Sequence, residues 1–170
     1  MNVINPANSW LISILVNNHF GVLTRVTALF SRRGYNIASL SVGETNQPEY
    51  SRITIETRTD GAAVRQIIKQ LQKLEDVKAV SLLPGAERIV RDLLIIKLAV
   101  TLPRREALYQ ALSGFSYQIP YQDERRVVLE FTGSPEDCAQ LLEVLSAYTV
   151  VELCRTGITA VSTLSELSAQ

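Results

Sequence analysis

The sequence predicts an α+β protein made of two tandem units, each with the order strand, helix, strand, strand, helix, strand. Three observations carry this prediction. Apolar residues switch repeatedly between a period of two and helical spacing, and the same order of elements occurs twice. A short Pro-Gly segment at 84–87 separates the two occurrences. The 170 residues suffice for two small domains, expected at 1–83 and 84–170.

The first unit begins with a strand at 10–16, where both alternating sets of side chains are largely apolar, as in a central strand. From Gly21 the apolar residues fall at helical spacing, and Gly34 is expected to end that helix because glycine readily adopts the left-handed conformation. Two strands joined by a polar turn, a second helix and a closing strand follow. Their ranges are 36–43, 50–57, 64–74 and 77–83.

The second unit repeats this order with a strand at 91–100 and a helix at 104–113. That helix is expected to turn four residues inward: Ala107, Leu108, Ala111 and Leu112. The remaining strands are expected at 115–121, 125–133 and 148–154. Both units thus have the split-βαβ, or ferredoxin-like, order: a four-stranded antiparallel sheet with two helices on one face.

Two residue types in the second unit fix details. Pro120 has no N–H to donate to a sheet, so its strand is expected at an edge. Ser134 and Pro135 are expected as N-cap and first residue of the last helix.

One sheet face stays open in this architecture, and in the first unit Leu11 and Leu15 point toward it. Units of roughly 75 residues bury comparatively little surface alone. We therefore expect an oligomer or a docked partner to cover that face.

Composition excludes several classes of function. Equal numbers of basic and acidic residues, 17 each, and a pI near 6.6 argue against nucleic-acid binding. The longest apolar run, 93–100, is too short to cross a membrane, and the N-terminus resembles neither a signal nor a transit peptide, so a cytoplasmic location is expected. Cys138 and Cys154 are expected to be buried free thiols there.

No arrangement of residues predicts catalysis. The sequence has one histidine, no nucleophile elbow, no Walker A and no Rossmann fingerprint. Acidic neighbours such as Glu75 and Asp76 are expected to be solvated surface. Acylphosphatases share the strand order but need an arginine in the first strand–helix loop, which this loop lacks. RNA-recognition modules also share the order but need exposed aromatic side chains on their central strands, which the exposed face of the strand at 50–57 does not offer.

The loop in "NNHFGVLTRV", 17–26, has the chemistry to bind a small zwitterion. Backbone N–H groups at the start of a helix favour a carboxylate, and asparagine amide oxygens accept from an ammonium group. The candidate residues are Asn17, Asn18, Gly21, Val22, Leu23, Asn36 and Ile37. The residues alone leave open that Asn18 is only a turn residue and that Asn36 merely follows a helix end.

Residues 18–56 closely resemble the ACT domain of the regulatory (small) subunit of acetolactate synthase, also called acetohydroxyacid synthase. The most specific segments are "FSRRGYNIASLSV" and "SRITI", and "QLQKLEDVKAV" and "LCRTGI" also match. The resemblance is strong over 9–100 and weaker beyond.

The resemblance implies a non-catalytic subunit that binds and activates the catalytic (large) subunit, which alone would hold thiamine diphosphate, FAD and Mg²⁺. It implies feedback inhibition by a branched-chain amino acid, usually valine, bound between the ACT domains of a homodimer whose edge strands join. Asn18 and Gly21 would contact this effector, with Asn36 reaching across from the partner chain. The neighbouring Val22, Leu23 and Ile37 are expected from their own chemistry to receive its aliphatic side chain. The C-terminal domain is the expected contact with the large subunit.

Departures and alternatives remain. Phe20 stands where the family often has a small residue or proline, and "FSYQIPY" replaces the usual "F-x-G" of the second domain. His19 is expected to be a solvated loop residue. The alternatives are a free-standing amino-acid sensor for another enzyme or regulator, an activating subunit without valine sensing, and an acyl-phosphate hydrolase.

Overall fold

The computed structural model describes residues 9–163, which form two compact units. The first unit contains residues 9–89 and 158–163, and the second contains residues 90–157. The sequence placed the division between 83 and 84 and assigned the whole C-terminal part to the second unit. The structure differs because strand β5 begins at Arg88, close to the division, and the last described residues return to the first unit.

The first unit has the predicted order of elements. Its sheet is antiparallel with strand order β2-β3-β1-β4, so β2 and β4 are the edge strands. The elements are β1 (Ser9–Asn17), α1 (Val22–Arg32), β2 (Ile37–Glu44), β3 (Tyr50–Arg58), α2 (Gly61–Leu71) and β4 (Val77–Leu82). The predicted α+β, ferredoxin-like fold is confirmed.

Local chemistry explains where these helices begin and end. Gly21 and Gly34 flank α1 with φ values of 85° and 69°, a region that residues with a Cβ rarely enter. Asp60 caps α2 by accepting from the N–H groups of Ala62 and Ala63, each at 2.8 Å. The helices cover one sheet face, and apolar burial there forms the core. That core includes Ile12, Ile14, Ile53, Ile55, Val26, Phe30, Ile67 and Leu71.

The second unit repeats the order with one short helix. Its elements are β5 (Arg88–Ala99), α3 (Arg105–Ala111), β6 (Tyr117–Gln122), β7 (Arg126–Gly133), α4 (Pro135–Leu145) and β8 (Thr149–Arg155). The strand order is β6-β7-β5-β8, and single 3₁₀ turns at Gly85–Glu87 and Leu102–Arg104 precede β5 and α3. β6 is an edge strand, as Pro120 predicted, and its pairing shifts between Gln118 and Tyr121.

The inward face of α3 differs from the prediction. Leu108 and Leu112 are fully buried, but Ala107 and Ala111 are exposed. This helix has only seven residues and rests on the sheet along one line of residues four apart. The alanines lie about 100° around the helix from that line, which turns them to solvent.

Both cysteines are free, as predicted, but only Cys138 is buried. Cys154 is exposed because β8, a sheet edge, leaves all seven of its residues exposed. The predicted burial of Cys154 was therefore wrong.

A ninth strand, β9 (Thr159–Ser162), was not predicted from the sequence. It pairs with β5. Ile158 and Ala160 are buried, at 7% and 5% exposure. Four residues are too few for an alternating pattern to stand out.

The sheet face of the first unit opposite its helices is partly covered by the chain itself. Leu11 on this face is 3% exposed, whereas Leu15 is half-buried. Ser39 and Ser41, on the same face, form hydrogen bonds with Ile158. Some of the cover that we expected from another molecule thus comes from residues 158–163. None of the helices in 9–163 is long and apolar enough to cross a bilayer.

Candidate functional site

The loop between β1 and α1 leaves the start of α1 without a side-chain cap. Gly21 occupies the N-cap position, and no side chain there accepts from the first-turn N–H groups. By contrast, Asp60 caps α2 and Ser134 caps α4. Uncapped N–H groups at a helix start keep their capacity to bind an anion. The predicted carboxylate-binding feature is therefore present in the backbone.

Asn18 connects this loop to the turn between β2 and β3. Its Nδ2 donates to the carbonyl of Pro48 at 2.9 Å and to a Glu44 carboxylate oxygen at 3.3 Å, while its backbone N–H donates to Glu49 at 2.7 Å. Asn18 thus has the structural role of a turn residue. Because an amide nitrogen has two protons, both engaged here, Oδ1 is the Asn18 atom that remains for a ligand.

The side chains of Val22 and Leu23 have different environments. Val22 is 3% exposed and belongs to the core, so only its backbone is accessible to a ligand. Leu23 is 37% exposed and Phe20 is fully exposed. The apolar side chains presented by this loop are therefore those of Phe20 and Leu23.

Asp76, just before β4, binds residues of the β1–α1 loop and of α1. Its carboxylate receives Arg25 Nε at 2.7 Å and His19 Nε2 at 2.8 Å, and its carbonyl receives the N–H of Asn17 at 2.8 Å. Burial by itself raises the pKa of Asp76, but the hydrogen bond and charge of Arg25, with those of His19, outweigh it and leave the pKa lowered. Asp76 therefore stays ionised at neutral pH.

Sequence reasoning missed this cluster. The Asp76 side chain is only 14% exposed, so the prediction of solvated surface was wrong for Asp76. His19 is 54% exposed, as expected of a loop residue, but it is paired with Asp76. The only local signal would have been an arginine at the fourth position after Gly21, one helical turn away, where its side chain can reach back over the loop.

Asn36 and Ile37 lie at the other end of the sheet from Asn18. The carbonyl of Asn36 accepts from Thr57 Oγ1 at 2.8 Å, and Thr57 is paired with Trp10 at the start of β1. Asn18 follows Asn17 at the end of β1, seven residues along the strand from Trp10. That separation corresponds to about 23 Å. One chain therefore does not bring the six predicted effector residues together.

Among residues 9–163, no three His, Cys, Asp or Glu side chains are grouped to hold a metal ion.

Comparisons with known proteins agree with these features. The family model for the AHAS small subunit-like ACT domain matches residues 12–79, and the model for the small subunit of acetolactate synthase matches 91–163. The chain belongs to the acetolactate synthase small-subunit family. The resemblance seen in the sequence is thereby confirmed.

Individual small subunits match along most of their length. The chain is 36% identical to the acetolactate synthase small subunit of Mycolicibacterium smegmatis, over 93% of each chain. It is 39% identical to a probable acetolactate synthase small subunit of Methanothermobacter thermautotrophicus, over 89% of this chain and 91% of that one. The crystal structure of the small subunit from Thermotoga maritima superposes with a TM-score of 0.86 at 31% identity, covering 93% and 99% of the two chains.

All six predicted effector residues fall within the part matched by the ACT-domain model of the small-subunit family. The same is true of Arg25, His19 and Asp76.

Proposed function

We propose that this chain is the regulatory subunit of acetolactate synthase, which activates the catalytic subunit and makes it sensitive to a branched-chain amino acid. The observation that carries the proposal is the placement of Asn18 and Asn36 at opposite ends of one sheet, in which β2 is one of the two edge strands. Two copies of such a chain can assemble a complete site where one copy cannot.

The topology supports a particular dimer. Among residues 9–163, edge strand β2 has one side on which no strand pairs, and this side is a template for a second strand. Antiparallel pairing of two β2 strands about a two-fold axis brings the Ile37 end of one strand to the Glu44 end of the other. Because Asn18 is hydrogen-bonded to Glu44 in its own chain, Asn36 of the partner then approaches Asn18. Two identical effector sites result.

The groups at such a site suit an α-amino acid. Uncapped N–H groups at the start of α1 would bind the carboxylate. Oδ1 of Asn18, the Glu44 carboxylate and Asn36 of the partner would accept from the ammonium group. Leu23 and Phe20 would contact an aliphatic side chain, together with Ile37 of the partner. This chemistry fits valine, leucine and isoleucine.

Catalysis belongs to the other subunit in this proposal. Thiamine diphosphate, FAD and Mg²⁺ would be bound by the catalytic subunit, and the complex would act in the cytoplasm. The second unit offers a contact surface at its edge strand β8, where Val150, Val151 and Leu153 are 43–55% exposed. Contiguous exposed apolar residues mark protein–protein contact sites. We assign this strand to the contact with the catalytic subunit.

Regulation requires that the effector bind one state of the complex better than another. Couplings of about 1–3 kcal/mol change an affinity by roughly 5- to 150-fold.

Calorimetric titration with valine, leucine and isoleucine tests the effector site. Saturable binding by the purified chain that is lost in both Asn18→Ala and Asn36→Ala is expected. Asn46→Ala is the matched control, because Asn46 is exposed in the β2–β3 turn. Absence of heat with all three amino acids, for both the chain alone and its complex with the catalytic subunit, contradicts the effector site and leaves an activating subunit without sensing.

A further inference from the structure

Two serine side chains hold the last described segment of the chain on the first unit. Ser41 Oγ donates to the carbonyl of Ile158 at 2.8 Å, and the N–H of Ile158 donates to Ser39 Oγ at 2.7 Å. Both backbone polar groups of one residue are thus bound by two hydroxyls that lie two residues apart, on one face of β2. We call this arrangement the Ile158 clasp.

The clasp lies on the sheet face opposite the helices. Ser41 is paired with Thr54, which is paired with Ser13, and none of these three belongs to the helix-side core. Leu40, between the two serines, packs against that core instead. Ile158 is 7% exposed, so its hydrogen bonds are partly shielded from water, which makes their loss costly.

The connection between β8 and Ile158 is too short to absorb much movement of Ile158. β8 ends at Arg155, and only Thr156 and Gly157 intervene. Within the second unit, Arg155 donates from Nε to Asp92 at 2.5 Å, Asp92 is 1% exposed, and the N–H of Thr156 donates to Leu93 at 3.1 Å. A displacement of Ile158 therefore has to be taken up by Gly157 or passed on to β8.

The other end of the clasp is close in sequence to the proposed effector contacts. Asn36 and Ile37 precede Ser39 by three and two residues. The pairing of β2 with β3 shifts register between Ile37 and Ser39, a local irregularity next to the clasp. Such irregularities occur next to functional sites and redirect side chains.

We propose that the Ile158 clasp relays the binding of the effector from β2 to β8. The relay rests on the proposed function, since it connects the effector contacts to the strand assigned to the catalytic subunit. Ser39 and Ser41 act in it as positioning residues, through Ile158. The clasp must differ in stability between the effector-bound and effector-free states, because only a differential interaction shifts an equilibrium.

The test uses the full chain in complex with the catalytic subunit. In the double variant Ser39→Ala/Ser41→Ala, activation is expected to stay unchanged and valine is still expected to bind, while the inhibition by valine falls by roughly fivefold or more. Ser81→Ala is the matched control. Ser81 lies in edge strand β4, where it is paired with Ser13, outside the clasp. Ser41→Thr, which retains a hydroxyl, is expected to preserve inhibition.

Hydrogen exchange on the unaltered chain provides a second measurement that needs no variant. Adding valine to the complex is expected to change the exchange rate of the Ile158 amide, whose acceptor is Ser39 Oγ. An unchanged rate at saturating valine overturns the relay, and so does full inhibition of the folded double variant. Loss of valine binding in that variant also overturns it, since the serines would then support the effector site itself. If the unaltered complex neither binds nor responds to valine, leucine or isoleucine, the effector part of the proposed function fails, and the relay with it.

Discussion

Arg25 in α1 folds back over Gly21 at the start of the helix: a Cβ added to Gly21 would be 3.1 Å from Nη1 of Arg25. The same guanidinium is held by Asp76, so it has little freedom to move away. Gly21 also has a φ of 85°, where an L-residue costs about 1–2 kcal/mol. A side chain at this position is therefore disfavoured for two separate reasons.

Gly21→Ala is expected to lose effector binding and to lower the free energy of unfolding by about 1–2 kcal/mol. The strained backbone and the displaced Arg25 both alter the first turn of α1. Gly34→Ala is the matched control, because Gly34 has a φ of 69° but nothing within 4 Å of an added Cβ. It is expected to destabilise the chain similarly while preserving binding. Calorimetry measures effector binding, and urea unfolding measures the stability of both variants. Equal binding by the two variants contradicts the role of the close approach between Arg25 and Gly21.

Asp76→Asn is expected to lower Tm at neutral pH. The pKa of Asp76 is lowered in the folded chain, so its ionised form contributes stability that is complete above the ordinary carboxyl pKa of about 3.9. That contribution disappears as the pH falls through the lower folded pKa. The Tm difference from the unaltered chain should thus persist down to about pH 5 and shrink below about pH 4. Glu75→Gln, the exposed neighbour, should show no such difference.

Ser134→Ala is expected to cost about 1 kcal/mol of stability. Ser134 and Asp137 form reciprocal hydrogen bonds at the start of α4, each 3.0 Å long. The Ser134 side chain also lowers the pKa of Asp137. Ser113→Ala, at an exposed position after α3, should be near neutral in the same chemical denaturation. Equal stabilities would show that the capping box contributes nothing measurable.

The two cysteines differ in accessibility, and the exposed one, Cys154, lies on the strand assigned to the contact with the catalytic subunit. Burial raises the pKa of the Cys138 thiol, and the charge of Asp92 raises it further, so Cys138 should react with a thiol reagent only after unfolding. Cys154, exposed on β8, should react in the native chain. The catalytic subunit is expected to slow this reaction. Loss of the native-state labelling in Cys154→Ser shows that the reagent reacts at Cys154. An unchanged rate of labelling in the complex contradicts contact of the catalytic subunit at β8.

Sequence predicted those features whose cause lies within a few residues. Gly34 ends α1 and Ser134 begins α4 because the backbone conformation and the capping hydroxyl act locally. The ferredoxin-like order followed from periodicity, which records burial one element at a time.

The features that sequence did not predict depend on distant partners. Asp76 is 51 residues from Arg25, and Ser39 is 119 residues from Ile158. Neither pair has a local signature, because a carboxylate or a hydroxyl on its own is typical of solvated surface. These pairs form only when the chain folds, so the sequence alone could not reveal them.

The placement of Asn18 and Asn36 at opposite ends of the sheet in one chain has a genetic consequence. In the proposed dimer, each effector site takes its loop from one chain and its Asn36 from the other. A mixed dimer of an Asn18→Ala chain and an Asn36→Ala chain would have one doubly damaged site and one intact site. Two variants that are each insensitive to valine should therefore complement one another when coexpressed, at half the normal number of sites per dimer.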